Sequence, residues 1–294
     1  TTVRRNVMNK TTGYRASQRI LDVAREHPER VALIIDDESW TYAELVRAAA
    51  TIACQFDDAD GDSQPITAVM AQRHVSSYVG ILAARLAGHA YVPLNVNHPG
   101  QRNATILQSS GAQRIVCGER ARDTMEAILD AASLPAKAPD IISCGDLKSA
   151  YDLDADPTIR HWPAERASLA YILFTSGSTG NPKGVPIRNS ELEAYLLATG
   201  PLVDARPGDR FSQTFELTFD LSVHDLFVCW ENGATLVVAS EKELRMPAAY
   251  IQRHGITCWF SVPSLAYQVR LQEDLRPGAF PSLRLSLFCG EALP

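Results

Sequence analysis

Apolar runs of strand length alternate with longer amphipathic stretches along most of the chain. This alternation is typical of βα units that build parallel sheets, so we predict an α/β fold. The predicted strands cover residues 31–35, 66–70, 90–94, 114–117, 169–174, 210–215, 234–238, 256–260 and 284–289. The predicted helices cover residues 75–87, 101–109 and 221–230, and a further helix begins near Asn189.

Local signals mark the ends of two more helices in the first part of the chain. Ser17 is predicted to cap a first helix, which Pro28 would end. Thr41, followed three residues later by Glu44, forms a capping box in which hydroxyl and carboxylate satisfy each other's backbone donors. We expect a second helix from there to Gln55.

A polar segment divides the chain. Residues 150–166 contain four acidic residues and two prolines and show little apolar periodicity. We predict a first α/β subdomain over residues 1–160 and a second over residues 166–294. Together they would form two stacked layers of mainly parallel sheet flanked by helices.

Composition argues against several classes of protein. The formal net charge is -6, and no dense run of Lys and Arg could track a phosphate backbone, so we expect no nucleic-acid partner. No apolar stretch approaches the roughly 20 residues that cross a bilayer, and we expect a cytoplasmic protein without a membrane partner. The six cysteines and seven histidines are scattered, which predicts buried thiols and no structural metal site.

The segment after the predicted strand 169–174 has the composition of an anion-binding loop. Residues 175–184 (TSGSTGNPKG) contain three glycines, four hydroxyl side chains and Lys183. Glycines let backbone N–H groups approach anionic oxygens, hydroxyls donate hydrogen bonds, and lysine adds positive charge. The order differs from a Walker A loop and from a dinucleotide fingerprint. On composition alone, the segment is either a polyphosphate cradle or a flexible surface loop.

Residues 171–185 (YILFTSGSTGNPKGV) resemble the phosphate-binding signature of the adenylate-forming (ANL) superfamily. That superfamily includes nonribosomal peptide synthetase adenylation domains, acyl-CoA synthetases and firefly luciferase. The chain is most similar to the N-terminal core of an amino-acid adenylation domain. The resemblance implies ATP, accompanied by Mg²⁺, and catalytic roles for Thr175 and Lys183. It implies that the phosphates contact Thr175, Ser176, Gly177, Ser178, Thr179, Gly180 and Lys183.

Other segments of the resemblance follow in the family's order. Residues 41–45 resemble the first core motif of adenylation domains, and residues 86–95 resemble the second, with Pro99 and Arg102 beyond them. Asn95 stands where the family usually has aspartate. We expect these segments to be structural, so the departure affects no catalytic residue.

The sequence 219–222 (FDLS) resembles the fourth motif of the family. The resemblance implies that the Phe219 ring lies beside the substrate carboxylate and that Asp220 pairs with the substrate's α-ammonium. A buried carboxylate in an apolar wall is costly unless it meets a cation, which agrees with that role. A competing interpretation makes Asp220 the N-cap of the following helix.

The resemblance also implies a pocket for the amino-acid side chain and a contact with AMP. Bulky residues in the pocket suggest a restricted, partly apolar space, in which His224 could hydrogen-bond a polar substituent or simply fill volume. The pocket positions are Leu221, His224, Phe260, Leu287 and Cys289, and the AMP-binding positions are Gly290, Glu291 and Ala292.

The implied activity converts an amino acid and ATP to aminoacyl-AMP and pyrophosphate. The acyl group then passes to the phosphopantetheine thiol of a peptidyl carrier protein, in nonribosomal peptide or related biosynthesis. Family members are longer, so we expect this chain to need the C-terminal part of the same domain and to be nearly inactive alone. The alternatives are an acyl- or aryl-CoA ligase, a D-alanyl carrier-protein ligase, and a non-catalytic nucleotide-binding module.

Overall fold

The computed structural model describes residues 16–56, 65–132, 138–148, 168–176, 181–272 and 275–292. These residues contain two six-stranded sheets, mostly parallel and flanked by helices. The predicted α/β class with two sheet layers is confirmed. Within these ranges, no helix is long and apolar enough to cross a bilayer.

Strands and helices alternate along the described residues. The strands are β1 Val31–Ile35, β2 Glu38–Thr41, β3 Ile66–Ala71, β4 Ala90–Asn95, β5 Arg114–Gly118, β6 Asp140–Cys144, β7 Leu169–Ser176, β8 Pro182–Arg188, β9 Arg210–Gln213, β10 Thr235–Val238, β11 Cys258–Ser261 and β12 Leu285–Phe288. The α-helices are α1 Ala16–Glu26, α2 Tyr42–Ala53, α3 Val75–Leu86, α4 Gly100–Ser110, α5 Arg122–Ala131, α6 Asn189–Val203, α7 Asp220–Trp230, α8 Glu241–Leu244, α9 Pro247–His254 and α10 Pro263–Leu271.

The ends of the first two helices test the local signals. The predicted capping box of α2 is confirmed, because Thr41 Oγ1 accepts a hydrogen bond from the Glu44 N–H and the Glu44 carboxylate accepts one from the Thr41 N–H. Ser17 is not the cap of α1, since that helix already includes Ala16. The helix ends at Glu26, shortly before Pro28, as predicted.

The strands form two sheets whose parallel strands place their carboxyl ends at one edge. The first sheet has the order β6-β5-β3-β4-β7-β8, and the second has the order β12-β11-β9-β10-β1-β2. Only the hairpins β7–β8 and β1–β2 are antiparallel among these described pairs. Every residue of β3 is buried, as expected for a parallel strand that is covered on both faces.

The two sheets do not follow the predicted division of the chain at residues 150–166. Strand β1 precedes that segment but pairs with β10, where Leu33 is aligned with Leu236. Strand β7 follows the segment but joins β4, with Tyr171 opposite Tyr91. The predicted units 1–160 and 166–294 therefore exchange strands. Strand pairing depends on which apolar faces can be buried together, which order along the chain does not specify.

A shared hydrophobic core joins the two sheets through α2, α3 and α7. The Tyr42 hydroxyl on α2 donates to the carbonyls of Trp230 and Ala234, and the Trp230 indole N–H donates to the carbonyl of Ala32. These contacts hold α7 against both α2 and β1. The end of α7 is thereby fixed against α2 and against β1 of the second sheet.

Arg73 connects the carboxyl ends of the two sheets. It follows β3 and donates to the backbone carbonyls of Gln213, Thr214 and Ala239, which lie at the ends of β9 and β10. Ligands of open α/β sheets bind at the carboxyl ends of the strands. The side chain therefore stabilises the strand ends at which a site is expected.

The cysteines agree only in part with the prediction of buried thiols. Four of the six are buried, but Cys54 and Cys289 are exposed. Cys54 follows the last turn of α2, and Cys289 follows β12, an edge strand of the second sheet with fewer neighbours to cover it.

Candidate active site

The predicted phosphate loop begins and ends in a β-hairpin. Strand β7 continues to Ser176 and β8 begins at Pro182, so the two strands extend into both ends of the predicted loop 175–184. Thr175 and Lys183 are paired residues in the antiparallel register. A hairpin thus holds the hydroxyl and the ammonium group that were expected in a loop. The remaining predicted phosphate contacts, Gly177, Ser178, Thr179 and Gly180, lie outside the described residues.

A cavity of about 590 Å³ lies near the carboxyl ends of β4 and β7. These two strands are aligned at Tyr91 and Tyr171, and the cavity extends from Tyr171 to the end of β7. Consecutive residues of β7 line it, so it meets both faces at the end of this strand. Its volume is in the range of sites for small molecules. The polar residues that line it are His98, Arg102, Thr175, Ser176, Thr218 and Asp220.

Lys183 lies on the face of β8 that borders this cavity. Alternate residues of a strand share a face, and Val185 and Ile187 line the cavity. The Lys183 side chain forms no hydrogen bond or ion pair with any residue that the structure describes. The ammonium group is therefore available beside the hydroxyl of Thr175.

Asp220 lines the same cavity from the start of α7. Phe219 holds the N-cap position, so the interpretation of Asp220 as the N-cap is wrong. The expectation of a buried carboxylate is also wrong, because Asp220 is exposed. Its side chain has no hydrogen-bond or ion-pair partner among the described residues. The first turn of α7 lines the cavity, and Phe219 just before it is 56% exposed. An acid and an aromatic ring thus face a space that a ligand can enter.

His224, Phe260 and Leu287 come together in the second sheet. Phe260 and Leu287 are aligned on β11 and β12, and the His224 ring meets Phe260 edge to face with centroids 5.0 Å apart. The Tyr195 hydroxyl lies 2.8 Å from His224 Nδ1. Tyr195 on α6 is missing from the predicted pocket, because only the packing of α6 on α7 brings it there. The structure therefore adds this residue to the cluster.

Burial decides the protonation of the Tyr195–His224 pair. It lowers the pKa of His224 to about 4, so the imidazole is neutral at pH 7. Burial, followed by the charge of Asp225, raises the pKa of Tyr195 to about 12, so the hydroxyl keeps its proton and donates to Nδ1. His224 Nε2 then carries the ring proton. That atom is enclosed without a hydrogen-bond partner in the described part of the chain.

Two other predicted pocket residues lie beside these groups. Leu221 is half-buried in the first turn of α7, directly after Asp220. Cys289 is among the groups whose charge raises the pKa of Tyr195, after burial, Asp225 and Asp220. The phenol is thus close to both Asp220 and Cys289, so the side-chain cluster adjoins the cavity.

The residues predicted to contact AMP follow β12. Gly290 has a left-handed φ of 89°, which glycine adopts without strain. Glu291 accepts hydrogen bonds from the Ser264 N–H at 2.9 Å and from the Ser264 hydroxyl at 3.0 Å. Ala292 is exposed. Contact of these three residues with AMP stays a prediction.

Two basic residues of the cavity are missing from the predicted site. His98 precedes α4, and Arg102 lies in its first turn. The sequence places Arg102 beyond a structural motif, and no pattern connects it with residues more than seventy positions later. His98 Nδ1 and Arg102 Nε are buried without hydrogen-bond partners among the described residues.

Comparison with known families covers nearly the whole chain. The model of a family described as AMP-binding enzyme matches residues 20–294. The chain belongs to this family. Membership agrees with the resemblance that the phosphate signature indicates.

Relatives of this AMP-binding chain are about twice as long. A D-alanine--D-alanyl carrier protein ligase of Bacillus licheniformis is 29% identical and aligns with 92% of the chain and 52% of its own length. An L-proline--[L-prolyl-carrier protein] ligase of Streptomyces coelicolor is 31% identical, with 93% and 53% aligned. The adenylation domain AlmE of Vibrio cholerae, solved with glycyl-adenosine-5'-phosphate, has a TM-score of 0.81 and 27% identity. That match covers 97% of the chain and 56% of the AlmE chain.

The charges around the cavity of this AMP-binding chain suit two kinds of ligand group. The Thr175 and Ser176 hydroxyls line it and Lys183 borders it, and all three side chains can donate to an anion. The Asp220 carboxylate can accept hydrogen bonds from a cation. One cavity can therefore hold a phosphate-bearing ligand next to an ammonium-bearing one.

Proposed function

We propose that the protein containing this chain activates an amino acid as its aminoacyl adenylate and then transfers the aminoacyl group to a carrier protein. The observation that carries the proposal is the shared cavity of Asp220, Thr175 and Ser176. An unpaired carboxylate next to hydroxyl donors suits an amino acid that meets the phosphates of ATP. Because the chain spans about half the length of the relatives it matches, the activity is proposed for the whole protein.

The first reaction joins the substrate carboxylate to the α-phosphorus of ATP and releases pyrophosphate. Asp220 holds the α-ammonium, and the Phe219 ring lies beside the carboxylate that attacks. Lys183 neutralises charge on the phosphates, and the hydroxyls of Thr175 and Ser176 donate hydrogen bonds to them; stabilising this charge is the main task in phosphoryl and nucleotidyl transfer. Mg²⁺ enters with the nucleotide and shares this task. Alignment of the reacting groups in one cavity further accelerates the reaction, because the groups no longer have to meet by diffusion.

The second reaction transfers the aminoacyl group to the phosphopantetheine thiol of the carrier. The thiol sulfur loses its proton to solvent and attacks the acyl carbon, the bond from that carbon to the phosphate oxygen breaks, and AMP leaves with the bonding electrons. Two relatives support this acceptor, since their names describe ligases that act on D-alanyl and L-prolyl carrier proteins. A role within a nonribosomal peptide synthetase is the specific form that we favour, and a free-standing carrier-protein ligase is the second candidate.

Asp220 argues against an acyl- or aryl-CoA ligase. A substrate without an ammonium group would leave this carboxylate unpaired beside the reacting carboxylate, and the like charges would repel each other. An amino acid offers a cation at the required position. Substrates with an α-amino group are therefore favoured over their des-amino analogues.

Amino-acid-dependent exchange of pyrophosphate into ATP tests the proposal. The longest natural protein that contains this chain is screened with the common amino acids, D-alanine and the matching des-amino acids. We expect exchange with a small set of amino acids, and loss of that exchange in Asp220→Asn. Asp123→Asn, which removes an exposed carboxylate on α5, is the matched control.

Three results would contradict the proposal in different ways. Exchange only with des-amino acids would favour the CoA ligase. Full exchange in Asp220→Asn would remove the assigned role of this residue. Absence of both exchange and thermal stabilisation by ATP would favour the non-catalytic module, because a ligand of the folded state must raise its stability.

A further inference from the structure

The Arg102 guanidinium lines the cavity without a counter-ion. The side chain is half-buried, its Nε atom is enclosed without a partner, and no described carboxylate forms an ion pair with it. Removing a cation from water costs free energy unless an anion compensates for it. The cavity wall therefore contains a place for a negatively charged ligand group.

Neighbouring side chains do not neutralise this guanidinium. The nearby carboxylate of Glu216 accepts a hydrogen bond from Asn95 Nδ2 at 2.7 Å and makes no ion pair with Arg102. Burial, and next the charge of Arg102, lower the pKa of His98, so this histidine is neutral at pH 7. Arg102 is thus the cation on the α4 side of the cavity among the described residues.

The position of Ser176 indicates which negatively charged ligand group Arg102 contacts. Phe174 packs against the hydrophobic cluster that α4 and β4 share, and Ser176 follows two residues later on the same face of β7. Ser176 also belongs to the predicted phosphate loop. Arg102 and Ser176 therefore line the same cavity, on the face of β7 that packs against α4.

We propose that Arg102 binds the polyphosphate of ATP from the α4 side of the cavity. The inference rests on the proposed function, which makes ATP the nucleotide. A guanidinium offers a planar fork of donors that matches two phosphate oxygens, whereas Lys183 acts as a point charge. Arg102 would reduce the charge that develops on the leaving pyrophosphate from the face of β7 that carries Ser176, and Lys183 from the face that carries Thr175.

Binding measurements on the complete protein test this role. Calorimetry with Mg-ATP, inorganic pyrophosphate and adenosine compares wild type with Arg102→Gln, Arg102→Lys and Arg245→Gln. Arg245 is an exposed arginine after α8 and lies outside the cavity, which makes its variant the matched control. For Arg102→Gln we expect affinities for Mg-ATP and pyrophosphate about ten- to a hundredfold lower, the usual effect of losing hydrogen bonds from a charged group. Adenosine affinity should stay unchanged, and Arg102→Lys should restore part of the loss.

The contrary outcomes are distinct. Wild-type affinity of Arg102→Gln for Mg-ATP, or an equal loss in Arg245→Gln, overturns the proposal while the proposed function stands. A parallel loss of adenosine affinity indicates a structural role and also overturns it. 4′-Phosphopantetheine is measured as a separate probe. If Arg102→Gln loses affinity for this probe alone, Arg102 binds the carrier's phosphopantetheine arm, and the assignment to ATP is overturned. If the wild-type protein binds neither ATP nor pyrophosphate, the proposed function fails as well.

Discussion

Thr175 and Lys183 are opposite each other across the antiparallel hairpin of β7 and β8. Each strand of this hairpin is tied to the other by the ladder of backbone hydrogen bonds, and β7 is also aligned with β4. Donors held in this way require little reorganisation when charge develops on a phosphate. The pair is therefore the rigid part of the predicted phosphate site.

Replacing Lys183 should affect catalysis more than amino-acid binding. Lys183→Gln in the complete protein should lower kcat/KM for pyrophosphate exchange by about a hundredfold or more, the usual cost of losing a donor to developing charge. Thermal stabilisation by the amino acid alone should persist. Lys242→Gln removes an exposed lysine on α8 and serves as the control. Exchange at the wild-type rate in Lys183→Gln would contradict the assigned role.

Tyr195 should determine the tautomer of His224. The phenol donates to Nδ1 at 2.8 Å, so ¹⁵N NMR of the wild-type chain should show the Nε2–H tautomer as the main form. Tyr195→Phe removes this donor, should populate both tautomers, and should cost about 1 kcal/mol in the free energy of unfolding. Tyr267→Phe, which removes another half-exposed phenol, is the control. An unchanged tautomer in Tyr195→Phe would show that packing against Phe260, and not the phenol, orients the ring.

Acid should destabilise the folded state through His224. Its pKa of about 4 lies below the ordinary value near 6.5, so the unfolded chain binds the proton first as the pH falls. Stability that is fully present above pH 6.5 is then lost between pH 6.5 and 4, by roughly 3 kcal/mol. Urea unfolding at several pH values should show that the free energy of unfolding falls less steeply with acid in His224→Phe than in wild type. The same slope in both proteins would mean that His224 is not shielded from water.

Asp225 should destabilise the protein at neutral pH. Both carboxylate oxygens are enclosed without hydrogen-bond partners among the described residues, and burial raises the pKa of Asp225 well above its usual value. The folded state keeps a proton that the unfolded chain releases above about pH 4, so stability falls as the pH rises through that range.

The isosteric variant Asp225→Asn removes this proton linkage. We expect its free energy of unfolding at pH 7 to exceed that of wild type by more than about 1 kcal/mol, with the gain shrinking toward pH 4. Asp123→Asn should show no such pH-dependent gain. Lower stability of Asp225→Asn at pH 7 would indicate that the carboxylate has a partner in solution.

Sequence signals correctly predicted the features that depend only on neighbouring residues. The Thr41–Glu44 capping box needs only two side chains three residues apart, and it forms as predicted. Strand β3 was predicted from a short apolar run and has only one residue more than expected. In both cases, the residues that determine the element lie within it.

Long-range contacts account for the corrections. Strand β1 joins the second sheet although it precedes the predicted boundary, because it pairs with β10 and buries Leu33 and Ile35 in the core that contains α7. Asp220 is exposed because the first turn of α7 lines the cavity at the end of β7. No sequence pattern specifies the width of that cavity.

The sequence by itself determined the α/β class, most helices and strands, and the phosphate signature, since periodicity and loop chemistry depend on neighbouring residues. Only the tertiary structure decided which strands share a sheet, that Tyr195 meets His224, and that Arg102 borders the same cavity as Asp220. Those relationships join residues far apart in the chain. They follow from the joint burial of apolar faces, which leaves unpaired charges together at the carboxyl ends of the strands.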